Sequence, residues 1–166
     1  MTDAYDSRPD TVQHIARVRE YMGQAGRDLH DRALVHDQSK LHPPELDTWD
    51  RMTPRLAGME YGSPEYMASL VELGPALEHH YQHNDHHPQY HDRGINGMTL
   101  MALIEMICDW KASSERMAPV VGQTPEERFR RSLDQNAERF CIDPQLAEIM
   151  VNTAVALGFI DPEEDS

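Results

Sequence analysis

The sequence is poor in cysteine and contains no long apolar run. Cysteine occurs only at positions 108 and 141 of the 166 residues, without a CxxC spacing. We therefore expect Cys108 and Cys141 to be reduced thiols in the core, as is typical of a cytoplasmic protein. No segment approaches the roughly 18 consecutive apolar residues of a membrane span, and the first thirty residues lack an apolar signal-peptide core. The sequence thus predicts neither export nor membrane insertion.

Basic residues are scarce as well. Lysine and arginine total 15 against 29 aspartates and glutamates, which gives a formal net charge of −14. A surface with this charge repels duplex nucleic acid and anionic membranes, so neither is expected as a partner. A phosphate-bearing ligand would need a locally positive site, and a bound divalent metal ion is one source of such charge. The acidity also has a simpler interpretation, a well-hydrated soluble surface.

The sequence shows no β-strand pattern, no glycine-rich phosphate loop, no GxSxG motif and no internal repeat. Helical periodicity is the pattern that is present, and 39% of the residues are hydrophobic, enough for one core. We therefore expect a single all-α domain over residues 1–166. It should be a bundle of about six helices, with its core within about residues 11–157.

Capping residues and prolines mark where these helices begin and end. A charged link at residues 27–32 is expected to separate the first helix from a short second one. The first three predicted helices are residues 11–30, a short helix that contains 36–41 and ends before Pro43, and Glu45–Arg51. The next begins at Ser63 and has a kink at Gly74-Pro75. The last three are Met98–Trp110, a helix that begins at Thr124, and a helix from Asp143 to Gly158.

The segment at residues 33–41, ALVHDQSKL, brings an apolar run to an adjacent His36-Asp37 pair and then to Lys40. Neutral imidazole and carboxylate suit zinc, iron, manganese and similar ions, and Lys40, one helical turn further, can face an anionic ligand. His-Asp dipeptides are common, so this pair alone is weak evidence. His14 lies beside the apolar stripe of the first helix, where a histidine is more often a hydrogen-bonded core residue. The prediction of a metal site therefore depends on further ligands elsewhere.

Six histidines lie within the thirteen residues 79–91, the most unusual feature of the sequence. A histidine tract can trap metal at a surface without any function. This one is interrupted by Asn84, Asp85 and Pro88, which favours a shaped loop. His83 and His91 are interpreted as loop residues, and others in the tract are candidate ligands.

The segment Met98–Trp110 is apolar at nearly every position, so a helix there should be buried on most faces. Glu105 and Asp109 lie one turn apart on the same face of that helix. Ionised carboxylates cost several kcal/mol each to bury without partners, so cations or donors are expected beside them. An internal salt bridge to arginine or lysine is one explanation. The other is that Asp109 binds a metal, with Glu105 supporting the site or carrying a proton.

With these residues identified, the chain resembles the HD-domain superfamily of metal-dependent phosphohydrolases. The superfamily pattern is a distant histidine, an adjacent His-Asp pair and a late aspartate on separate helices, and ALVHDQSKL is similar to its HD helix. Residues of about 11 to 157 also resemble a narrower family of uncharacterised phage and bacterial proteins. The stretches that carry this second resemblance are RALVHDQSKL, YGSPEYMASLVELGPALEHHYQHNDHHPQYH, EMICDWKA and ERFCIDPQL.

The superfamily resemblance implies a set of metal ligands and a reaction class. Two-metal branches of the superfamily have extra histidines between the His-Asp pair and the last aspartate, here His80 and either His86 or His87. The implied cofactor is a divalent ion, Mn, Fe, Co, Zn or Mg, with one or two bound. The expected ligands are His14, His36, Asp37, His80, His87 and Asp109.

The leading hypothesis is a metal-dependent phosphohydrolase that acts on a small phosphorylated molecule, with a nucleotide as the expected substrate. The catalytic candidates are Lys40 and a protonated histidine, His80, which would neutralise the departing phosphate, and Glu105 as a proton carrier. One alternative is a di-iron oxygenase, a reaction class found elsewhere in the superfamily. Another is a non-catalytic metal- or nucleotide-binding module, such as a phage effector acting on a host protein. The apolar helix and ten methionines would suit a homo-oligomer.

Overall fold

Most of the described residues are in α-helices. The computed structural model describes residues 5–59, 62–116 and 122–162, and within these ranges it contains six α-helices and no strand. The predicted all-α class is confirmed. No helix in the described ranges is long and apolar enough to cross a membrane. The helices are α1 (Arg8–Val35), α2 (Leu46–Leu56), α3 (Pro64–His83), α4 (Leu100–Arg116), α5 (Pro125–Arg139) and α6 (Pro144–Ala156), with 3-10 turns at Gln38–Leu41, Pro88–Tyr90 and Gly94–Gly97.

The chain divides into two compact units, of which the first ends at His36 and the second begins at Asp37. Within its described residues, 5–36, the first unit contains the helix α1 and no buried side chain. The second contains the other five helices. The organisation as one domain stays a prediction.

Helix α1 is longer than the sequence pattern predicts. It continues to Val35 through residues 27–32, where a link is expected. That expectation is wrong because the stretch contains neither glycine nor proline, and arginine and leucine favour a helix. The predicted second helix is replaced by a turn. Asp37 adopts the left-handed conformation, with φ 57° and ψ 14°, and Gln38–Leu41 forms a single 3-10 turn.

The core of the second unit lies among α4, α5 and α6. Helix α4 packs against α5, α5 packs against α6, and α2 packs against α3. The buried side chains of this core are Leu103, Met106, Ile107, Trp110, Phe129, Leu133, Ile142, Met150, Ala154 and Ile160.

Both cysteines are exposed, which corrects the expectation of core thiols. Cys108 follows the buried Ile107 on α4, and one further residue of a helix turns a side chain by about 100° away from a buried face. Cys141 lies in the turn between α5 and α6 with a φ of 50°. Neighbouring apolar residues in the sequence therefore did not indicate burial here.

Capping residues set the starts of α3, α5 and α6 as predicted. The Ser63 hydroxyl accepts a hydrogen bond from the Tyr66 amide at 3.1 Å, and Thr124 forms a capping box with Glu127. Helix α3 is broken at Gly74, whose φ of 43° and ψ of −120° are not helical. This break confirms the predicted kink, and it gives the second half of α3, which carries the first histidines of the tract, its own direction.

Removal of the Phe129 ring should be the most direct test of this core. Phe129 is fully buried and contacts Phe159 edge to face. We expect Phe129→Ala to lower the free energy of unfolding by about 3–5 kcal/mol, measured by denaturant titration. Val71→Ala is the control, because Val71 is 81% exposed and its truncation should change stability by less than about 0.5 kcal/mol. Similar losses in the two variants would contradict this assignment of the core.

Candidate metal centre

Asp37 occupies the turn that opens the second unit, and its carboxylate meets two histidines and a lysine. Oδ2 accepts a hydrogen bond from Lys40 Nζ at 2.5 Å. Oδ1 lies 3.3 Å from His80 Nε2 and 3.7 Å from His86 Nε2. Aspartate tolerates the left-handed backbone of this turn better than most residues, yet such a conformation costs about 1–3 kcal/mol and is concentrated at functional sites. The turn therefore places a carboxylate where imidazoles converge.

His80 and His87 approach each other through their Nε2 atoms, which lie 2.9 Å apart. His80 projects from the second half of α3, and its side chain is 1% exposed. His87 precedes the 3-10 turn Pro88–Tyr90. His86, 2% exposed, stacks at a tilt against His87 with 4.1 Å between ring centroids. The rings of His80 and His86 are thus buried, and the partly buried ring of His87 lies against both.

We call Asp37, His80, His86 and His87 the Asp37 centre. Each of the four offers one ligand atom, and these atoms all lie within 4.8 Å of one another. Imidazole nitrogen and carboxylate oxygen bind zinc, iron, cobalt and manganese, and none of the four supplies sulfur. The residues present therefore fit a divalent metal ion, and the cluster could hold one.

Two carboxylates orient the histidines of the Asp37 centre. Glu45 Oε2 lies 3.1 Å from His80 Nδ1, and Glu105 Oε1 lies 3.1 Å from His86 Nδ1. Because an ionised carboxylate only accepts hydrogen bonds, each Nδ1 donates, and in the neutral ring, the form that binds a metal, the lone pair is then on Nε2. Those Nε2 atoms are the ones that face Asp37. Carboxylate–histidine pairs of this kind commonly orient metal ligands in proteins.

Asn84 and Ser39 complete the surroundings of His80. The Asn84 amide nitrogen donates to the Ser39 hydroxyl at 2.9 Å and to the His80 carbonyl at 2.8 Å. These two bonds use both of its hydrogens, so its 3.0 Å approach to His80 Nδ1 is compatible with Nδ1 donating to Glu45. The orientation of the His80 ring is therefore set by hydrogen bonds to its Nδ1 atom and to its backbone carbonyl.

Glu45 is a fully buried carboxylate with several donors. It accepts from Trp49 Nε1 at 3.0 Å and from His79 Nδ1 at 2.7 Å, in addition to His80. Burial raises the pKa of the Glu45 carboxyl, but hydrogen bonds from His79, Trp49 and Ser39, together with the charge of His80, outweigh it and lower that pKa overall. Glu45 therefore stays ionised and keeps its role as an acceptor.

The His87 imidazole has a pKa lowered to about 3. Burial is the main cause, and the charges of His86 and His80 lower the pKa further, while Asp109 and Asp37 oppose the shift. A metal ion binds the neutral form of imidazole. Near neutral pH, His87 is already in that form.

The structure brings together some of the ligands that the sequence predicts. Asp37, His80 and His87 meet in the Asp37 centre, and a carboxylate oxygen of Asp109 lies within 4.8 Å of one of Asp37. Of the catalytic candidates besides His80, Lys40 contacts Asp37 and Glu105 contacts His86. His14 and His36 belong to the first unit, His36 as the residue that follows α1, and their ligation stays a prediction.

Sequence reasoning missed Glu45 and left His86 as an alternative to His87. Glu45 lies in a stretch where the hydrophobic residues follow no regular spacing, so the sequence does not indicate that Glu45 is buried and the nearby Asp47 is not. The adjacent His86-His87 pair gives no signal of which ring points inward, and both do. The interruption of the tract by Asn84 was a usable signal, since Asn84 fixes the first histidine of the centre.

A cavity of about 530 Å³ opens beside the Asp37 centre within the second unit. Lys40, His80, His87 and Asp109 line one part of it. Its volume falls within the range of pockets that bind small molecules, roughly 300–1,000 Å³. The centre is therefore accessible to a ligand of that size.

A family model described as "Family of unknown function (DUF5662)" matches residues 3–156. No curated protein and no solved structure matches the chain. The match covers nearly the whole chain, and its description assigns no activity.

Two carboxylate substitutions test the metal centre. Asp37→Ala and Asp109→Ala should each abolish tight metal binding and lower the melting temperature, because the bound ion contributes folding free energy. The measurement is elemental analysis of protein purified without added metal and without a metal-affinity column. His83→Ala and His91→Ala are the matched controls, since His83 bonds to the His79 carbonyl and His91 to the Asp85 carbonyl. Unchanged metal content in both aspartate variants would contradict the centre.

The lowered pKa of His87 predicts a pH dependence of stability in the metal-free protein. Between pH 6.5, the ordinary value, and about 3, the unfolded chain binds a proton at this residue that the folded chain does not. The free energy of unfolding should therefore fall as the pH is lowered through this window, and His87→Gln should make the fall between pH 7 and pH 5 smaller. Denaturant titrations at both pH values, on protein from which metal has been removed with a chelator, measure the free energy of unfolding. Equal falls in the two proteins would be evidence against a buried, neutral His87.

Proposed function

The chain belongs to the DUF5662 family, and we propose that it is a metal-dependent phosphohydrolase acting on a small phosphorylated molecule, with a nucleotide as the favoured substrate. The observation that carries the proposal is the pair of oriented histidines. Glu45 and Glu105 each hold an imidazole by its Nδ1, so that both Nε2 atoms face the carboxylate of Asp37. Lys40 adds a cation beside the same carboxylate. The arrangement resembles a metal-binding site more closely than an internal salt bridge.

The resemblance of the His36-Asp37 segment to the HD-domain superfamily supports the reaction class. The superfamily pattern calls for a His-Asp pair and a late aspartate, and Asp109 lies beside Asp37. In this proposal His36 and His14 are further ligands from the first unit. Their contribution is tested by the same elemental analysis as that of the aspartates.

A bound divalent ion would supply an activated water molecule and polarise a phosphoryl oxygen. The protein's own residues would do the rest. Lys40, whose ammonium also lies 4.6 Å from the centre of the Trp49 ring, lines the cavity and would attract the phosphate. Glu105 would hold the proton on His86 Nδ1, which keeps that ring in the ligand tautomer.

The charge distribution favours a small substrate. The net charge of −14 repels extended polyanions, and duplex nucleic acid needs a basic stripe that tracks its phosphates. A cavity of about 530 Å³ can enclose a small molecule and screen its phosphate from the acidic surface. The electrostatic attraction on that phosphate would then come from the centre and from Lys40.

Turnover of phosphorylated compounds is the experiment that tests the proposal. With manganese, cobalt or iron(II) supplied, the protein should release phosphate, pyrophosphate or triphosphate from at least one member of a nucleotide panel. A chelator should abolish the activity and added metal should restore it, because the activated water depends on the ion. Release of phosphate is measured colorimetrically, and nucleoside products by chromatography.

Asp37→Ala should be inactive under every condition, while His91→Ala should keep activity. A metal-replete protein that hydrolyses no nucleotide, phosphomonoester or phosphodiester would contradict the proposal. Consumption of oxygen in the presence of iron and an organic substrate would then favour an oxygenase. Stable ligand binding without turnover would favour a binding module.

A further inference from the structure

We propose that the cavity beside the Asp37 centre recognises a phosphate ester that carries a flat aromatic ring and a second anionic group. A nucleoside phosphorylated at two positions has this chemistry. The identity of the reactive end rests on the proposed function. The rest of the inference depends on the cavity walls alone.

Aromatic side chains are concentrated in the walls of this cavity. The chain has two tryptophans, six tyrosines and three phenylalanines, and five of these eleven residues line the cavity, both tryptophans among them. The rings of Trp110 and Phe140 stack on each other, with 6.2 Å between their centroids and an interplanar angle of 4°. Aromatic faces favour stacking with a flat ring over an open-chain ligand. The five aromatic residues that line the cavity are Trp49, Tyr66, Tyr81, Trp110 and Phe140.

A cation lies in the same cavity at a distance from the metal centre. Asp109, Ser113 and Arg116 all line it from α4, and their spacing of four and seven residues puts them on one face of the helix. At 1.5 Å per residue, Arg116 starts about 10 Å along the helix from Asp109. A guanidinium that lines a pocket is well suited to a phosphate or carboxylate.

Helix α5 contributes a second arginine to the cavity. Arg139 lies with its guanidinium 4.8 Å from the centre of the Phe140 ring, which is also in the wall. The charged residues that line the cavity are Lys40, Arg116 and Arg139 against Asp50 and Asp109. Lys40 and Asp109 lie beside Asp37 at the metal-centre end of the cavity. The charged residues in the rest of the lining are therefore two arginines and one aspartate. This part of the cavity therefore favours an anion, in a protein whose net charge is −14.

These features give each part of the ligand a place. One phosphate would lie at the centre beside Lys40, the ring against the aromatic walls, and the second anionic group at the arginines. A monophosphate with the same ring would lose the last contact. An open-chain phosphate would lose the stacking as well.

Tryptophan fluorescence reports binding directly, because both tryptophans of the chain line the cavity. Metal-loaded protein is titrated with three probes: adenosine 3′,5′-bisphosphate, adenosine 5′-monophosphate and ribose 5-phosphate. We expect the bisphosphate to bind at least about tenfold more tightly than the monophosphate, and ribose phosphate to bind most weakly. In Arg116→Gln and Arg139→Gln, and more so in the double variant, the preference for the bisphosphate should fall by about tenfold.

Arg51→Gln is the matched control, because it removes the same charge from the second unit at an arginine that is exposed and outside the cavity lining. Equal affinities for the two nucleotides, or an equal loss of preference in Arg51→Gln, would overturn the proposal. Phosphate release is followed in the same samples. Binding with the expected preference but without release of phosphate would contradict the proposed hydrolase and support the cavity assignment. Release of phosphate without any preference for the bisphosphate would support the hydrolase and contradict the cavity assignment.

Discussion

The hydrogen bond between the buried Glu45 carboxylate and His80 is the interaction on which the site depends. An ionised carboxylate costs several kcal/mol to bury unless donors surround it. Glu45 has such donors in Trp49, His79 and His80, at 2.7 to 3.1 Å. These contacts join the start of α2 to the end of α3. As a result, the Nε2 atom of His80 has one orientation, toward Asp37.

The second constraint is electrostatic. Asp37 and Asp109 place carboxylate oxygens within 4.8 Å of each other in a protein that carries a net charge of −14. Two negative charges at that separation repel each other, and a cation between or beside them offsets the repulsion. Lys40 contacts Asp37 and supplies one positive charge. A divalent ion bound by the nearby imidazoles would supply the rest, and the same ion would make this cavity attractive to phosphate.

The fold was largely predictable from the sequence, since it depends on local signals. Ser63, Thr124 and Asp143 each cap a helix through a side-chain oxygen, and Gly74 breaks α3 where a glycine and a proline adjoin. The turn at Asp37 was not predictable in the same way. Aspartate does not require a left-handed backbone, and the surrounding ALVHDQSKL reads as a helix.

The candidate site was predictable only in part, because its support comes from long-range contacts. Asp37, His80 and Asp109 were recognisable from residue type and from the resemblance. Glu45 reaches His80 across 35 residues of sequence, and neither composition nor periodicity marks such a pair. His86 and His87 both point inward, although strict alternation or a helical period would have selected one of them.

Metal-edge anomalous diffraction from crystals of the protein, with the ion confirmed by X-ray absorption, is the measurement that tests the central claim most directly. The account predicts an anomalous peak bonded to a carboxylate oxygen of Asp37 and to Nε2 of His80, at about 2.0–2.2 Å, with nitrogen and oxygen as the only ligands. His80 Nδ1 should remain hydrogen-bonded to Glu45. A peak on the exposed histidines alone, away from Asp37, or no bound metal in protein that was offered manganese, iron, cobalt and zinc, would contradict it.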